Sequence, residues 1–187
     1  MKTRLLYNST SVLLFILLAT NSKVMFAQKI PYGMSDDSIY SSYGYLHTCY
    51  YKPLNYDSLN SPILFGIHGV GGTGFGEIND LKDIADRRKA LIVAPPNIFP
   101  LGFIKADSIG VGVYKVLWSP TVMKEIYHHV INREQRDSMW VYLIGFSAGG
   151  QAVTRYMLIR QTIFDSIPLR MAVSVSPLHY TFPTDKL

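Results

Sequence analysis

Met139-Trp140-Val141-Tyr142-Leu143-Ile144-Gly145-Phe146-Ser147-Ala148-Gly149-Gly150 runs from an apolar segment straight into a G-x-S-x-G pattern, with a helix-compatible sequence behind it. The pattern alone arises by chance fairly often. Its meaning comes from a strand in front and a helix behind, which together make a sharp turn with the serine at its tip. Gly145 and Gly149 let the backbone fold closely there, and Gly150 adds room. A serine hydroxyl is a weak nucleophile until a base takes its proton and donors hold the developing oxyanion. The turn supplies backbone N–H groups, and the start of the next helix adds positive potential.

Outward from this turn the chain alternates strand and helix. Ile63-Leu64-Phe65-Gly66-Ile67 and Ala90-Leu91-Ile92-Val93-Ala94 are short continuous apolar runs, as expected of strands buried on both faces. Between them Glu77 to Lys89 reads as a helix, with Ile78, Leu81, Ile84 and Ala85 on one face. Glu77 and Asp80 near its start and Arg87, Arg88 and Lys89 at its end complement the helix dipole. Ser119-Pro120 pairs an N-cap with a first-position proline, and Val122, Met123, Ile126, Tyr127, Val130 and Ile131 form the stripe of the helix that follows. Met139–Ile144 is the third strand of this series, Ala148 to about Gln161 its third helix, and Met171–Val175 its fourth strand. Residues 28–60 are rich in Tyr, Ser and Asp and are expected to hold early antiparallel strands. The alternation predicts an α/β fold, a mostly parallel sheet with helices on both faces. No internal repeat or low-complexity linker interrupts it. Pro95 to Trp118 is a connection of 24 residues carrying Phe99, Phe103, Tyr114 and Trp118. It is expected either to wall a substrate site or to form a hairpin through Ile109–Leu117 on the core.

The second chemical element is His68-Gly69-Val70-Gly71-Gly72, directly after the Ile63–Ile67 strand. Taken with the serine turn, residues 61 to 176 resemble the central part of the α/β-hydrolase fold. The resemblance implies that Ser147 is the nucleophile and that the Ala148 N–H is one oxyanion donor. Val70 N–H is implied as the second donor, with Gly71 as its substitute. His68 and Gly69 would shape the loop, and His68 would not be the base. Gly69-Val70-Gly71-Gly72-Thr73-Gly74 also fits the dinucleotide pattern G-x-G-x-x-G. That pattern expects an acid about 20 residues on, where this chain has Val93-Ala94-Pro95-Pro96, so no nucleotide cofactor is expected.

The fold's chain order is serine, then an acid, then histidine. Downstream of Ser147 stand Asp165, Asp185 and His179 only. Asp165 precedes the fourth strand and should face the wrong end of the sheet. Asp185 and His179 are candidate acid and base. The resemblance otherwise implies that both groups, with the last strands, lie beyond Leu187 in a longer hydrolase. His128-His129 are adjacent on a helix, about 100° apart, with no carboxylate at ligand spacing, so neither a metal nor another cofactor is expected. Arg133, Arg136 and Arg160 read as surface charges.

Lys2 and Arg4, the apolar stretch Ser11–Thr20, and Asn21-Ser22-Lys23-Val24-Met25-Phe26-Ala27 have the three-part form of an export signal, with cleavage expected near Ala27-Gln28. Its apolar core is too short for a stable span of about 20 helical residues. No cysteine adjoins the junction, against a lipid-modified terminus. The expected organisation is a signal peptide over 1–27 and a hydrolase domain over 28–187. The segment 1–27 carries three of the 18 basic residues and none of the 13 acids, so the net charge falls from +5 to +2. A near-neutral chain offers no electrostatic footprint for nucleic acid. The single cysteine, Cys49, forms no internal disulfide and reads as a buried thiol in a strand.

The resemblance implies an exported serine hydrolase acting on a small-molecule or polymeric carboxylic ester through an acyl-enzyme. Within the fold it is similar to esterases of the polyhydroxybutyrate-depolymerase and feruloyl-esterase kind. A peptidase or acyltransferase on the same turn, and an inactive domain lacking acid and base, remain open alternatives. Oligomeric state is left open.

Overall fold

A computed structural model describes residues 28–41, 44–96, 120–160 and 166–177. They form β1 (Gly33–Ser41), β2 (Gly44–Lys52), β3 (Ile63–Ile67), α1 (Gly74–Arg88), β4 (Leu91–Ala94), α2 (Pro120–Glu134), β5 (Val141–Phe146), α3 (Ala148–Ile159) and β6 (Leu169–Val175). The six strands make one sheet in the order β1-β2-β4-β3-β5-β6. β1 and β2 are an antiparallel hairpin, and β2 joins β4 antiparallel. The β3–β4, β3–β5 and β5–β6 pairs are parallel, as the strand-helix alternation predicts.

β3 and β4 are fully buried along their length, which explains why both read as unbroken apolar runs. One face of the sheet sends Ile63, Phe65 and Ile67 against Met123 and Ile126 of α2 and Val153 of α3. The other face packs Cys49, Leu64 and Ile92 against Ile78, Leu81 and Ala85 of α1. Helices therefore cover both faces. β6 is an edge strand: β5 pairs one side, and no strand pairs the other among the described residues. None of its side chains is fully buried, and Met171 and Val175 are open to solvent. Among the described residues no helix is long and apolar enough to cross a membrane.

Three local readings need revision. α1 begins at Gly74, one turn before Glu77, because the Thr73 hydroxyl accepts the Gly76 N–H at 3.0 Å and caps the helix. On that helix Ile84 is exposed and Glu77 is buried, reversing the expected roles. The arginines are anchors rather than free surface charges. Arg133 Nε donates to Gln28 O at 2.6 Å, Arg136 Nη1 to Ser61 O at 2.9 Å, and Arg160 Nη2 to Ile167 O at 3.1 Å. Long side chains commonly serve distant carbonyls this way, and sequence spacing does not reveal it. Cys49 is buried as expected, and burial together with nearby Asp36 pushes its thiol further from ionisation.

Candidate active site

β3 and β5 are neighbours in register, with Ile67 beside Gly145, so the segments leaving their C-terminal ends emerge side by side. That edge is where ligands bind in open α/β sheets. From β5 the chain turns into α3 through a single residue, Ser147. Its backbone sits at φ 54°, ψ −116°, a conformation that an L side chain rarely adopts. Such strain persists only where the surroundings over-determine it. Here they do: Ser147 N–H donates to Val175 O of β6 at 2.9 Å, and Gln151 N–H donates to Ser147 O at 3.0 Å.

The turn is close-packed onto the neighbouring loop. A methyl at Gly149 would overlap the Ile67 carbonyl oxygen, and one at Gly69 would lie 3.1 Å from Ser147 Cβ. The glycine loop is thus pressed against the serine that the sequence pairs with it.

His68 is buried, and its Nδ1 lies 2.8 Å from Gly69 O. A carbonyl only accepts, so this ring nitrogen carries a proton and the ring braces its own loop. Gly72 N–H closes the turn on Gly69 O at 3.1 Å, and Gly71 takes φ +78°. Val70, between them, is exposed. The Val70 and Gly71 N–H groups donate to no backbone acceptor among the described residues. The Ala148 N–H is the first of α3, and a helix start leaves such groups without an intrahelical partner. The Ala148 N–H stands at the positive end of α3, and the Val70–Gly71 segment continues from the Gly69 that packs against Ser147.

Sequence reading did not single out the environment of Glu77. Its side chain folds into the notch left by the missing side chain of Gly66, where a methyl would stand 2.7 Å from Glu77 Cγ. Burial first, then the neighbouring charge of Asp80, pushes its carboxyl up to about 7. The glycine inside the run Ile63–Ile67 is the one sequence signal for such a notch.

Asp165, His179 and Asp185 lie outside the described residues, as do Phe99, Phe103, Tyr114 and Trp118. Among the described residues no histidine or carboxylate hydrogen-bonds Ser147. Of the histidine pair, His129 Nε2 approaches Asp37 Oδ2 at 3.2 Å, whereas His128 is exposed with its ring edge against Tyr127. No group of three or more potential metal-ligating side chains occurs among the described residues.

No family model and no curated protein sequence matches the chain. Solved structures do. Poly(aspartic acid) hydrolase-1 from Sphingomonas sp. KT-1 aligns with a TM-score of 0.66 and 20% identity over 83% of this chain and 60% of its own. The poly(3-hydroxybutyrate) depolymerase LpqC of Bordetella parapertussis aligns with a TM-score of 0.63 and 24% identity over 84% of this chain and 56% of its own. An esterase of the archaeon Pyrobaculum calidifontis aligns with a TM-score of 0.57 and 15% identity over 90% of this chain and 50% of its own. The chain therefore spans about half to three fifths of the length of these structures. Their shared architecture is the α/β-hydrolase fold, and it is the fold of this chain.

Proposed function

On the premise of an α/β-hydrolase fold, we propose that the protein is an exported serine hydrolase that cleaves carboxylic esters. Ser147 Oγ attacks the ester carbonyl carbon and passes its proton to a base. The resulting oxyanion is held by the N–H groups of Ala148 and Val70, with Gly71 as the alternative to Val70. Collapse breaks the bond to the alkoxy oxygen, which leaves as the alcohol after taking the proton, and the acyl group stays on Ser147. Water then attacks the acyl-enzyme by the same route and releases the acid. Among the described residues no histidine or carboxylate hydrogen-bonds Ser147 to serve as that base. His179 and Asp185 are the candidates within the sequence given, and any polypeptide beyond Leu187 is the alternative source.

The observation that carries this reading is the strained Ser147 turn pressed against the glycine loop, whose Val70 and Gly71 N–H groups donate to no backbone acceptor among the described residues. The structural neighbours support ester hydrolysis in general, since esterases and a polyester depolymerase are among them. The substrate is a small or polymeric ester. The same atoms would serve an amide, and one neighbour is named for poly(aspartic acid). Export rests on the leader pattern of residues 1–27.

The test is turnover of nitrophenyl esters and a matched nitroanilide by the polypeptide as the cell makes it. Ester turnover is expected to exceed that of the anilide and to fall by about 10⁴ or more in Ser147→Ala. Turnover that survives the substitution would refute the assignment of the nucleophile. Anilide turnover above ester turnover would move the protein to the peptidases.

A further inference from the structure

The β1–β2 hairpin reaches past the sheet that carries it. β2 pairs with β4 only over Cys49–Tyr51, and Cys49 stands opposite Ala94, the last residue of β4. Gly44–Thr48 therefore run on beyond the C-terminal end of β4, with β1 as their partner strand among the described residues. This is the same edge of the sheet from which Ser147 and the glycine loop emerge.

Register places the two features at similar heights. Phe65 pairs with Val93, so Ala94 is level with Gly66, which pairs with Ile144. Ser147 stands three residues beyond that level and Tyr45 four, or about 10 and 13 Å at ~3.3 Å per residue. Between β2 and β5 lie β4 and β3, three strand spacings or about 14 Å. Sheet twist widens the gap modestly, so a ligand that joins both points is extended over roughly 15–20 Å.

At the projecting end Tyr40 faces Tyr45 across the ribbon, the rings edge to face at 5.3 Å. They are 75% and 76% exposed. Neither hydroxyl has a hydrogen-bond partner among the described residues. Alternation puts Tyr45, His47 and Cys49 on one face of β2. His47 Nε2 lies 2.8 Å from Asp36 Oδ2 on the neighbouring strand. Cys49 packs on Gly74, where a methyl would stand 2.8 Å from its Sγ, and Gly74 opens α1 directly behind the glycine loop. One surface strip thus leads from the tyrosine pair to the loop that carries Val70 and Gly71.

We propose that Tyr40 and Tyr45 form a distal substrate platform, which selects long, uncharged ester chains over short esters at Ser147. A tyrosine offers an apolar ring and a polar tip. A chain that alternates methylene runs with ester carbonyls meets both, its methylenes lying on the rings and its carbonyls accepting from the phenol O–H groups. The half-exposed carboxylate of Asp36 disfavours a polyanionic chain. The platform makes no contact with the reacting atoms; it holds the part of the substrate away from the scissile bond. It rests on the ester-hydrolase reading above, and the test separates the two.

Binding is measured by calorimetry on the full polypeptide carrying Ser147→Ala, with a methyl-capped chain of about six hydroxyhexanoate units and with the single-unit ester. The long chain is expected to bind more tightly than the short one. Adding Tyr40→Thr and Tyr45→Thr, which keeps residues suited to a strand, should weaken the long chain about tenfold and leave the short one unchanged. Leu59→Ala removes an equally exposed apolar side chain from the β2–β3 connection at the opposite edge and should change neither. With Ser147 restored, the tyrosine variant should raise KM for the long chain and spare kcat. Equal binding of the two esters, or long-chain binding that survives the tyrosine substitutions or falls equally in Leu59→Ala, overturns the platform. Failure of the ester-hydrolase reading shows elsewhere, as turnover indifferent to Ser147→Ala.

Discussion

Gly149→Ala tests whether the serine turn and the glycine loop are built as one packed unit. Gly149 is the second residue of α3, and on helix propensity alone alanine should stabilise it by about 1 kcal/mol. The structure reverses that sign. The added methyl would overlap Ile67 O and lie 2.6 Å from Ile67 C and 2.9 Å from His68 O. All three are backbone atoms of β3 and the loop leaving it, so no side chain can rotate away. Overpacking typically costs about 1–3 kcal/mol, and an overlap with immobile backbone belongs at the upper end. The net expectation is a loss of about 2 kcal/mol, or roughly 4–8 °C in Tm for a chain of this size. Relief would come by lifting the start of α3 off β3, which moves Ser147 relative to Val70 and Gly71. A misplacement of about 1 Å costs on the order of 10²-fold in rate. Thermal melts and the rate of phosphonate labelling report the two effects. Gly76→Ala is the control, because a methyl there meets only the Thr73 hydroxyl at 3.2 Å, and it should leave labelling intact. A Gly149→Ala protein as stable and as reactive as the parent would refute the packing argument.

Ser147→Gly should raise stability by about 1 kcal/mol, since strain of about 1–3 kcal/mol is exchanged for the smaller entropic cost of glycine, and should abolish labelling; a destabilised variant in urea titration would contradict the strain. Glu77 has an ordinary value near 4.5 and is held up to about 7 in the fold. Between those values the unfolded chain ionises this group while the folded chain keeps its proton, so its contribution to stability falls as pH rises from about 4.5 to 7. Melts of Glu77→Gln across that window should lack this component and gain on the parent as pH rises. Lys52 Nζ lies 2.8 Å from Glu134 Oε2 with both side chains buried. Glu134→Ala leaves Lys52 buried without its partner and should cost about 3–5 kcal/mol, whereas Lys52→Met with Glu134→Leu should cost far less. A double variant as damaged as the single would refute a penalty arising from an uncompensated charge.

The parts of the fold that rest on local pattern were legible in the sequence. Fully buried β3 and β4 announce themselves as apolar runs, and the α2 stripe from Val122 to Ile131 is buried as its spacing implies. The parts that depend on distant partners were not. The insertion of β4 between β2 and β3 is a property of the assembled sheet. The exchange of Glu77 for Ile84 as the buried residue follows from a notch at Gly66, which no helical period records. Arg133 looked like a solvated charge because its acceptors, Gln28 and Lys29, lie more than 100 positions away. At the candidate site, the serine turn and the glycine loop were readable because each is a short motif with fixed glycine chemistry. Their contact was not, since it arises from the β3–β5 pairing.

Ser147 is the residue proposed to attack the substrate carbonyl. The most direct measurement is peptide mapping of the full polypeptide after reaction with a fluorophosphonate, which bonds covalently to an activated serine. One adduct is expected, on the peptide containing Gly145–Gly150, absent in Ser147→Ala. An adduct on a different residue, or one undiminished by that substitution, would contradict it.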